Sequence, residues 1–306
     1  MNKPLVSIVV NCYNGEEYLD QCLKSIFYQT YKNWELIFWD NASTDNSFKI
    51  FNSYNDKRLK YFKSDVNVSL GQARAWAVKK CSGKFISFLD IDDQWFPEKT
   101  FIQVNQMIKD QSVLSYGSIV EIYENSDNEK LVKACHNSLN NFKSNLMQFE
   151  IQMPTIMILK NALETKNLNF DPIITASEEY CLCMQLIYNE KVSVIKKPLA
   201  KYLVRKDSLT NKNSEFWAKE RLYTLDKLLS NHPEIKGLYF EEFKEARARA
   251  TYYETRHLMF IKDKISAIKK MSIIKFYSLR YFLLYLIILL PNYFWDKIHL
   301  IKSKRG

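Results

Sequence analysis

The chain has 306 residues, enough for one large domain or one domain with an extension. Its 47% apolar and 25% charged residues are those of a globular protein, which excludes disordered and collagen-like classes. With 44 Lys plus Arg against 34 Asp plus Glu the formal charge is +10, and only 6 Gly and 7 Pro argue against a loop-rich scaffold.

Val6 to Val10 is a β-rich run of the kind buried on both faces of a parallel sheet. Asn14-Gly15 reads as a turn. After it Leu19, Cys22, Leu23, Ile26 and Phe27 fall on one face of a helix. Trp34 to Trp39 is the next predicted strand, Leu59 to Phe62 a short one, and Gly71 to Lys80 a helix. Phe85 to Leu89 is another strand, followed by a helix opening near Pro97. Strands alternating with helices in this way predict βαβ units, an α/β fold with a mostly parallel sheet. Beyond Ser112 the pattern changes. Val113 to Tyr123 reads as a longer strand and Glu124 to Asn145 as loop, Ile156 to Leu159 and Val192 to Ile195 as strands, and Glu178 to Tyr188 as a helix between them. From Glu215 onward the chain reads as helical, so the expected layout is an α/β domain over 1–212 and a helical extension over 213–306.

Six cysteines (Cys12, Cys22, Cys81, Cys135, Cys181, Cys183) lack zinc-finger spacing and predict reduced thiols, buried as small apolar groups in a cytosolic protein. Met1 to Pro4 runs straight into the first strand, so no secretory signal is expected. The charge concentrates at the end of the chain. From Lys262 to Gly306 ten Lys or Arg face only Asp263 and Asp296, which gives this stretch +8 of the total +10. These charges bracket the apolar run Tyr281 to Leu290, half of the roughly 20 residues a bilayer span needs. A helix over about 271–295 lying on an anionic membrane surface fits this pattern better than a span, a buried helix or an oligomer contact. The basic excess follows an apolar helix rather than an aromatic-interleaved sheet, so no nucleic-acid partner is expected.

In open α/β sheets ligands bind outside the carboxyl ends of the strands. Here those ends are polar: Asn11 to Asn14 after the first strand, Asp40 to Asp45 after the second, Asp90 to Asp93 after the strand that follows Gly83. Each taken alone is ordinary turn and helix-capping chemistry, but three together point to a nucleotide site. Carboxylates at the tip of a buried apolar strand cost desolvation unless a cation or hydrogen bonds compensate, and Mg²⁺ or Mn²⁺ is one common solution. An acidic turn ahead of the Pro97 helix is the other.

With these pieces in order, the chain resembles a family-2 glycosyltransferase of the GT-A fold, of the bacterial polysaccharide and glycolipid type. The resemblance rests on Val6 to Asn14, Ser25 to Tyr31, Trp34 to Ser47, Asn67, Gly71, Ala73-Arg74, Gly83 to Asp93 and Trp95 to Lys99, roughly residues 4 to 110. A weaker continuation takes in Glu178-Glu179 and Tyr202 to Thr210. It implies a Rossmann-like sheet and an inverting, metal-dependent, hexosyltransferase-type reaction from a nucleotide-diphosphate sugar, UDP-sugar favoured, to a hydroxyl of a glycan or lipid-linked acceptor. Asp40 is expected at the base, with Tyr13, Asn14 and Asn41 lining the pocket and Gly71 beside it. Asp90 is expected at the ribose or metal region, and Asp92 on the Mn²⁺ or Mg²⁺ that bridges the diphosphate. Arg74 is expected to clamp the diphosphate or an aspartate. Glu179 is expected to be the base that activates the acceptor, with Glu178 as the alternative. Arg205 stands where the family often has a His. It cannot ligate a metal, but it can neutralise diphosphate charge. Asn11 and Ala75 replace a common Pro and Asn; neither change removes a charge, so activity is expected to survive both. The resemblance together with the basic tail implies a cytoplasmic protein, peripheral on the inner face of the cell membrane. A membrane-associated scaffold without turnover would share the fold, but Asp40, Asp90, Asp92 and the acidic pair argue against that reading.

Overall fold

A computed structural model describes residues 3–205, 208 and 212–297. They form two compact units: the described residues up to Asn145 together with Phe149–Arg205, and Leu146–Gln148 together with everything described beyond Arg205.

The first unit opens with β1 (Val6–Cys12), all seven residues of which are buried. A strand of Val and Ile with no exposed face needs cover on both sides, which the helices supply. After α1 (Leu19–Phe27) come β2 (Trp34–Asp40), α2 (Ser47–Asn52), β3 (Leu59–Lys63), α3 (Leu70–Val78) and β4 (Phe85–Phe88). These strands are all parallel: Val6 pairs with Trp34 on one side and Phe85 on the other, and β3 extends the sheet beyond β2. The chain continues through β5 (Gln94–Trp95), α4 (Lys99–Asp110), β6 (Leu114–Tyr123), β7 (Glu129–Val132), α5 (Asn141–Met147), β8 (Met157–Leu159), α6 (Lys160–Thr165), α7 (Glu178–Ile187) and β9 (Val192–Val204). The sheet order is β3-β2-β1-β4-β8-β6-β9-β5, with β7 on the edge of β6. β8 runs antiparallel to both β4 and β6, so the sheet is parallel through its first four strands and mixed beyond.

Leu19, Cys22, Leu23 and Ile26 are buried on α1, the stripe the spacing predicts, in one cluster with Val6, Ile8, Leu36 and Phe38. The β1–β2 register places Cys12 beside Asp40, so the polar ends of adjacent strands meet at one edge. At the other end of the sheet Glu35 is buried in β2. It accepts hydrogen bonds from Ser7 Oγ (2.5 Å), Ser82 N (2.7 Å) and Ser82 Oγ (2.8 Å) and pairs with Lys60 Nζ at 2.5 Å.

Five elements are absent from the sequence reading: α2, β5, β7, α5 and α6. They are short or polar, and only their neighbours make them regular. Pro97 does not enter α4; its carbonyl accepts from Thr30 N at 2.8 Å, and the helix begins at Lys99. β9 runs 13 residues where the apolar pattern predicts four. Lys196, Lys197 and Pro198 interrupt that pattern, and the pairing with β6 shifts register beside them, which is how a strand accommodates a proline. One cysteine also differs from expectation. Cys135 is exposed because it sits in the loop after β7, its thiol turned to the Lys133 carbonyl, while the other five are buried and all six are free.

The second unit is helical: α8 (Trp217–Asn231), α9 (Ile235–Leu238), α10 (Phe240–Phe260), α11 (Lys264–Ile274) and α12 (Leu279–Leu289). Tyr252, Met259, Ala267, Met271, Tyr281, Leu284 and Ile288 make its core. The stretch 271–295 is not one helix. Ser278 caps α12 by accepting from Tyr281 N at 3.4 Å, and Pro291 stops it. Among the described residues no helix is long and apolar enough to cross a membrane. Lys302, Lys304 and Arg305 of the basic tail, and residues 206, 207, 209 and 210 of the Tyr202 to Thr210 stretch, lie outside the described residues.

Candidate active site

The loops that leave β1 and β2 are stitched together by their own side chains. Asn14 takes a left-handed backbone (φ 49°), which asparagine tolerates, and its Oδ1 accepts from Thr44 N at 2.9 Å. Asn14 N donates to Ser43 Oγ at 3.1 Å, and Gly15 N to Ser47 Oγ at 2.9 Å. Tyr13 stands half exposed at this rim. Asp40 is fully buried at the end of β2; its Oδ1 accepts from Ser43 N (2.7 Å) and its Oδ2 from Tyr61 Oη (2.5 Å). Asn41 is buried too and organises the next loop. Its Nδ2 donates to the Val68 carbonyl (2.8 Å), and its Oδ1 accepts from Val68 N (3.2 Å) and Ser64 Oγ (3.2 Å).

α3 begins at that loop, capped by Ser69 Oγ, which accepts from Gln72 N at 3.2 Å. Gly71 lies against the chain at 171–174, where a Cβ would come within 2.9 Å of the Asp171 and Ile174 carbonyl oxygens. That close approach explains glycine at this position. One turn on, Arg74 is buried with its guanidinium fork between two carboxylates. Nη2 pairs with Asp90 Oδ1 at 2.6 Å, and Nη1 bonds Glu178 Oε1. A single side chain thus ties α3 to the end of β4 and to the start of α7, across 104 residues of sequence.

The acidic pair divides its roles by exposure. Glu178 is buried; burial pushes its carboxyl up, the Arg74 guanidinium opposes that shift, and the neighbouring Glu179 charge adds to it. Glu179, at the next position on α7, keeps partial access to solvent. Both belong to the first turn, where the helix dipole favours negative charge.

Three carboxylates crowd the turn after β4. Burial, and then the charge of Asp90, push the Asp92 carboxyl up, while Arg205 holds it down through a 2.6 Å ion pair. Asp93, for which the sequence reading gave no role, is 1% exposed. Its Oδ1 accepts from Leu203 N at 3.0 Å, which ties the turn to the end of β9, and its Oδ2 has no hydrogen-bond partner. The run Asp90 to Asp93 carried that signal as a third acid. Arg205 also stacks on the Tyr18 ring, 4.8 Å from its centroid, and Tyr18 Oη donates to Glu124 at 3.3 Å. Asp92, Tyr18, Gln21, Gln94 and Glu124 line a cavity of about 360 Å³.

Among the described residues no three metal-ligating side chains converge into a closed cage. The donors at this turn are hard carboxylate oxygens, mutually repelling and one unpartnered, which fits a Mg²⁺ or Mn²⁺ ion held by one or two carboxylates and completed by substrate phosphates. Asp92 and Asp90, paired here with Arg205 and Arg74, are the residues that would hold it; the unpartnered oxygen belongs to Asp93.

The sequence profile described as Glycosyl transferase family 2 matches residues 7–163. The chain belongs to that family. It is 32% identical over 199 residues, 64% of this chain and 74% of the relative, to WfgD of Escherichia coli, a UDP-Glc:alpha-D-GlcNAc-diphosphoundecaprenol beta-1,3-glucosyltransferase. A putative teichuronic acid biosynthesis glycosyltransferase of Bacillus subtilis, TuaG, is 31% identical over 116 residues, 37% of this chain and 46% of its own. Among solved structures, S. aureus TarS (residues 1–349) in complex with UDP-GlcNAc superposes with a TM-score of 0.69 at 18% identity, covering 88% of this chain and 80% of that one. A mannosyltransferase of Pyrobaculum calidifontis in complex with GDP-Man and Mn²⁺ superposes with a TM-score of 0.61 at 15% identity, over 97% and 89%. The family-2 glycosyltransferase described here therefore has the GT-A fold, and it is an enzyme of glycosyl transfer.

Proposed function

We propose that this glycosyltransferase moves a sugar, with inversion, from a nucleotide-diphosphate donor, UDP-sugar first among them, to a hydroxyl of a glycan or lipid-linked acceptor in cell-surface polysaccharide synthesis. The observation that carries the reading is the gathering of Asp90, Arg74 and Glu178 into one buried ion network, beside Asp92, at the strand ends of a family-2 chain. In a single displacement the acceptor oxygen attacks the anomeric carbon, the bond from that carbon to the diphosphate oxygen breaks, and the hydroxyl proton passes to the Glu179 carboxylate. Glu179 suits that step better than Glu178, whose carboxyl is sealed against Arg74. Bound Mn²⁺ or Mg²⁺ supplies positive charge against the departing diphosphate. Tyr13, Asn14, Asp40, Asn41 and Gly71 shape or support the nucleotide side of the crevice. Arg205, paired with Asp92, brings a cation to the acidic turn, where it can neutralise diphosphate charge.

A lipid-linked acceptor and the +8 tail together favour a cytoplasmic protein on the inner face of the cell membrane. The enzyme is tested by incubation with UDP-, GDP- and dTDP-sugars in Mn²⁺ or EDTA while released nucleotide diphosphate is read. Metal-dependent release from one donor, lost in Asp92→Ala, is the expected result. Neither release nor donor binding across the panel would move the reading to a membrane-associated scaffold without turnover.

A further inference from the structure

The second unit leaves an apolar surface open on a helix whose other side is core. On α12, Tyr281, Leu284 and Ile288 are buried against Tyr252, Met271 and Trp295. Leu279, Leu283, Leu286 and Leu290 recur at helical spacing on the other side and are 43–73% exposed. Phe276, 81% exposed, precedes the helix, and Phe294, 46% exposed, follows it. A helix that is apolar all round belongs in an interior, and this one is covered on one side only. A continuous exposed patch of Leu and Phe marks an interaction surface.

Charge decides between partners. Lys275, Arg280 and Lys297 lie in the same stretch as the stripe, and their long stems set the cations beside aromatic rings: Lys275 Nζ lies 4.9 Å from the Phe276 ring centroid, the Arg280 guanidinium 5.7 Å from that of Tyr281 and Lys297 Nζ 5.7 Å from that of Tyr293. Apolar side chains flanked by Lys, Arg, Tyr and Phe match the acyl–headgroup boundary of an anionic bilayer. A second copy of the same basic surface would repel it. We infer that the outer stripe of α12, with Phe276 before the helix and Phe294 after it, inserts side-on into the headgroup region of an anionic membrane leaflet. The inference rests on the membrane location proposed above and is independent of sugar transfer.

The test is co-sedimentation of the full chain with phosphatidylglycerol-containing vesicles and with pure phosphatidylcholine vesicles. Binding to the anionic vesicles, weakened by high salt, is expected, and Leu283→Gln with Leu286→Gln should lower the vesicle partition constant about tenfold or more. Both positions are exposed, so far-UV circular dichroism and Tm should stay as in the parent chain. Donor hydrolysis without vesicles should be equal in parent and variant; its absence from both would count against the transferase reading and leave the vesicle result standing. No binding to either vesicle, or binding unchanged in the variant, overturns the inference. So does a lipid-free dimer that the two substitutions dissociate, which would show that a second copy covers the stripe.

Discussion

Arg74 holds Asp90 and Glu178 in a buried cluster, where its planar fork meets one carboxylate with each terminal nitrogen. Removing it leaves the buried Glu178 carboxyl without its guanidinium partner and the part-exposed Asp90 unpaired. Arg74→Ala is therefore expected to destabilise the first unit by about 3–5 kcal/mol, read as a lower denaturant midpoint. Arg74→Lys should recover little of this, because a point charge cannot serve both partners. Ala42, between Asp40 and Ser43, has φ 65°, a left-handed conformation in which a Cβ is strained. Ala42→Gly should stabilise by about 0.5 kcal/mol, the relief of strain less the added chain entropy of glycine; a loss of stability by calorimetry would contradict this. Asp40 was visible in the sequence as the end of an apolar strand. That Tyr61 would seal one of its oxygens was not, because the contact joins β2 to a residue of β3 whose pattern is merely amphipathic.

At the scale of elements, Glu35 fastens β1, β2, β3 and the turn before β4 at the end of the sheet remote from the site. Burial by itself would raise its carboxyl, but Lys60, Ser7 and Ser82 outweigh it and hold the group at about 2, against 4.5 when unfolded. A carboxyl depressed on folding stabilises above its unfolded value and loses that contribution as pH falls towards the folded one. Stability should therefore drop by about 2 kcal/mol between pH 4.5 and pH 2 on this account, with allowance for the half-exposed Lys60. In Glu35→Gln that component of the acid transition should vanish while stability at neutral pH falls; an unchanged acid profile would show that another group governs it. β1, α1, β2, α3, β4 and α7 were legible because each is a period of 2 or 3.6 written in apolar residues. β7 and α5 were not. They carry polar sequence, and β7 is regular only because β6 offers it an edge.

For the whole molecule, donor binding should raise stability by mass action, by about 2.7 kcal/mol at about 100 times Kd. A larger Tm shift with Mn²⁺ than with EDTA, abolished in Asp92→Ala, is expected, and equal shifts in both would remove the metal from the account. In the sheet unit the parallel strands β1, β2 and β4 are buried along their whole length, with cover on both faces. The helical unit instead leaves a row of Leu and Phe in contact with water. The same composition could have read as a short span. Ser278 and Pro291 cut the apolar run into a helix of 11 residues, about half of what a bilayer needs.

The sequence alone determined the strand–helix alternation, the polar strand ends, the acids at 90, 92, 178 and 179, and the basic tail. These are local patterns of period, capping and charge, readable without knowing what lies opposite. Only the tertiary structure decided that Arg74 reaches both Asp90 and Glu178, that Arg205 meets Asp92, and that α12 keeps one apolar side uncovered. Those outcomes depend on which distant residue is brought alongside, and a side chain's partner across a hundred residues is set by sheet order and packing, not by its neighbours in the chain.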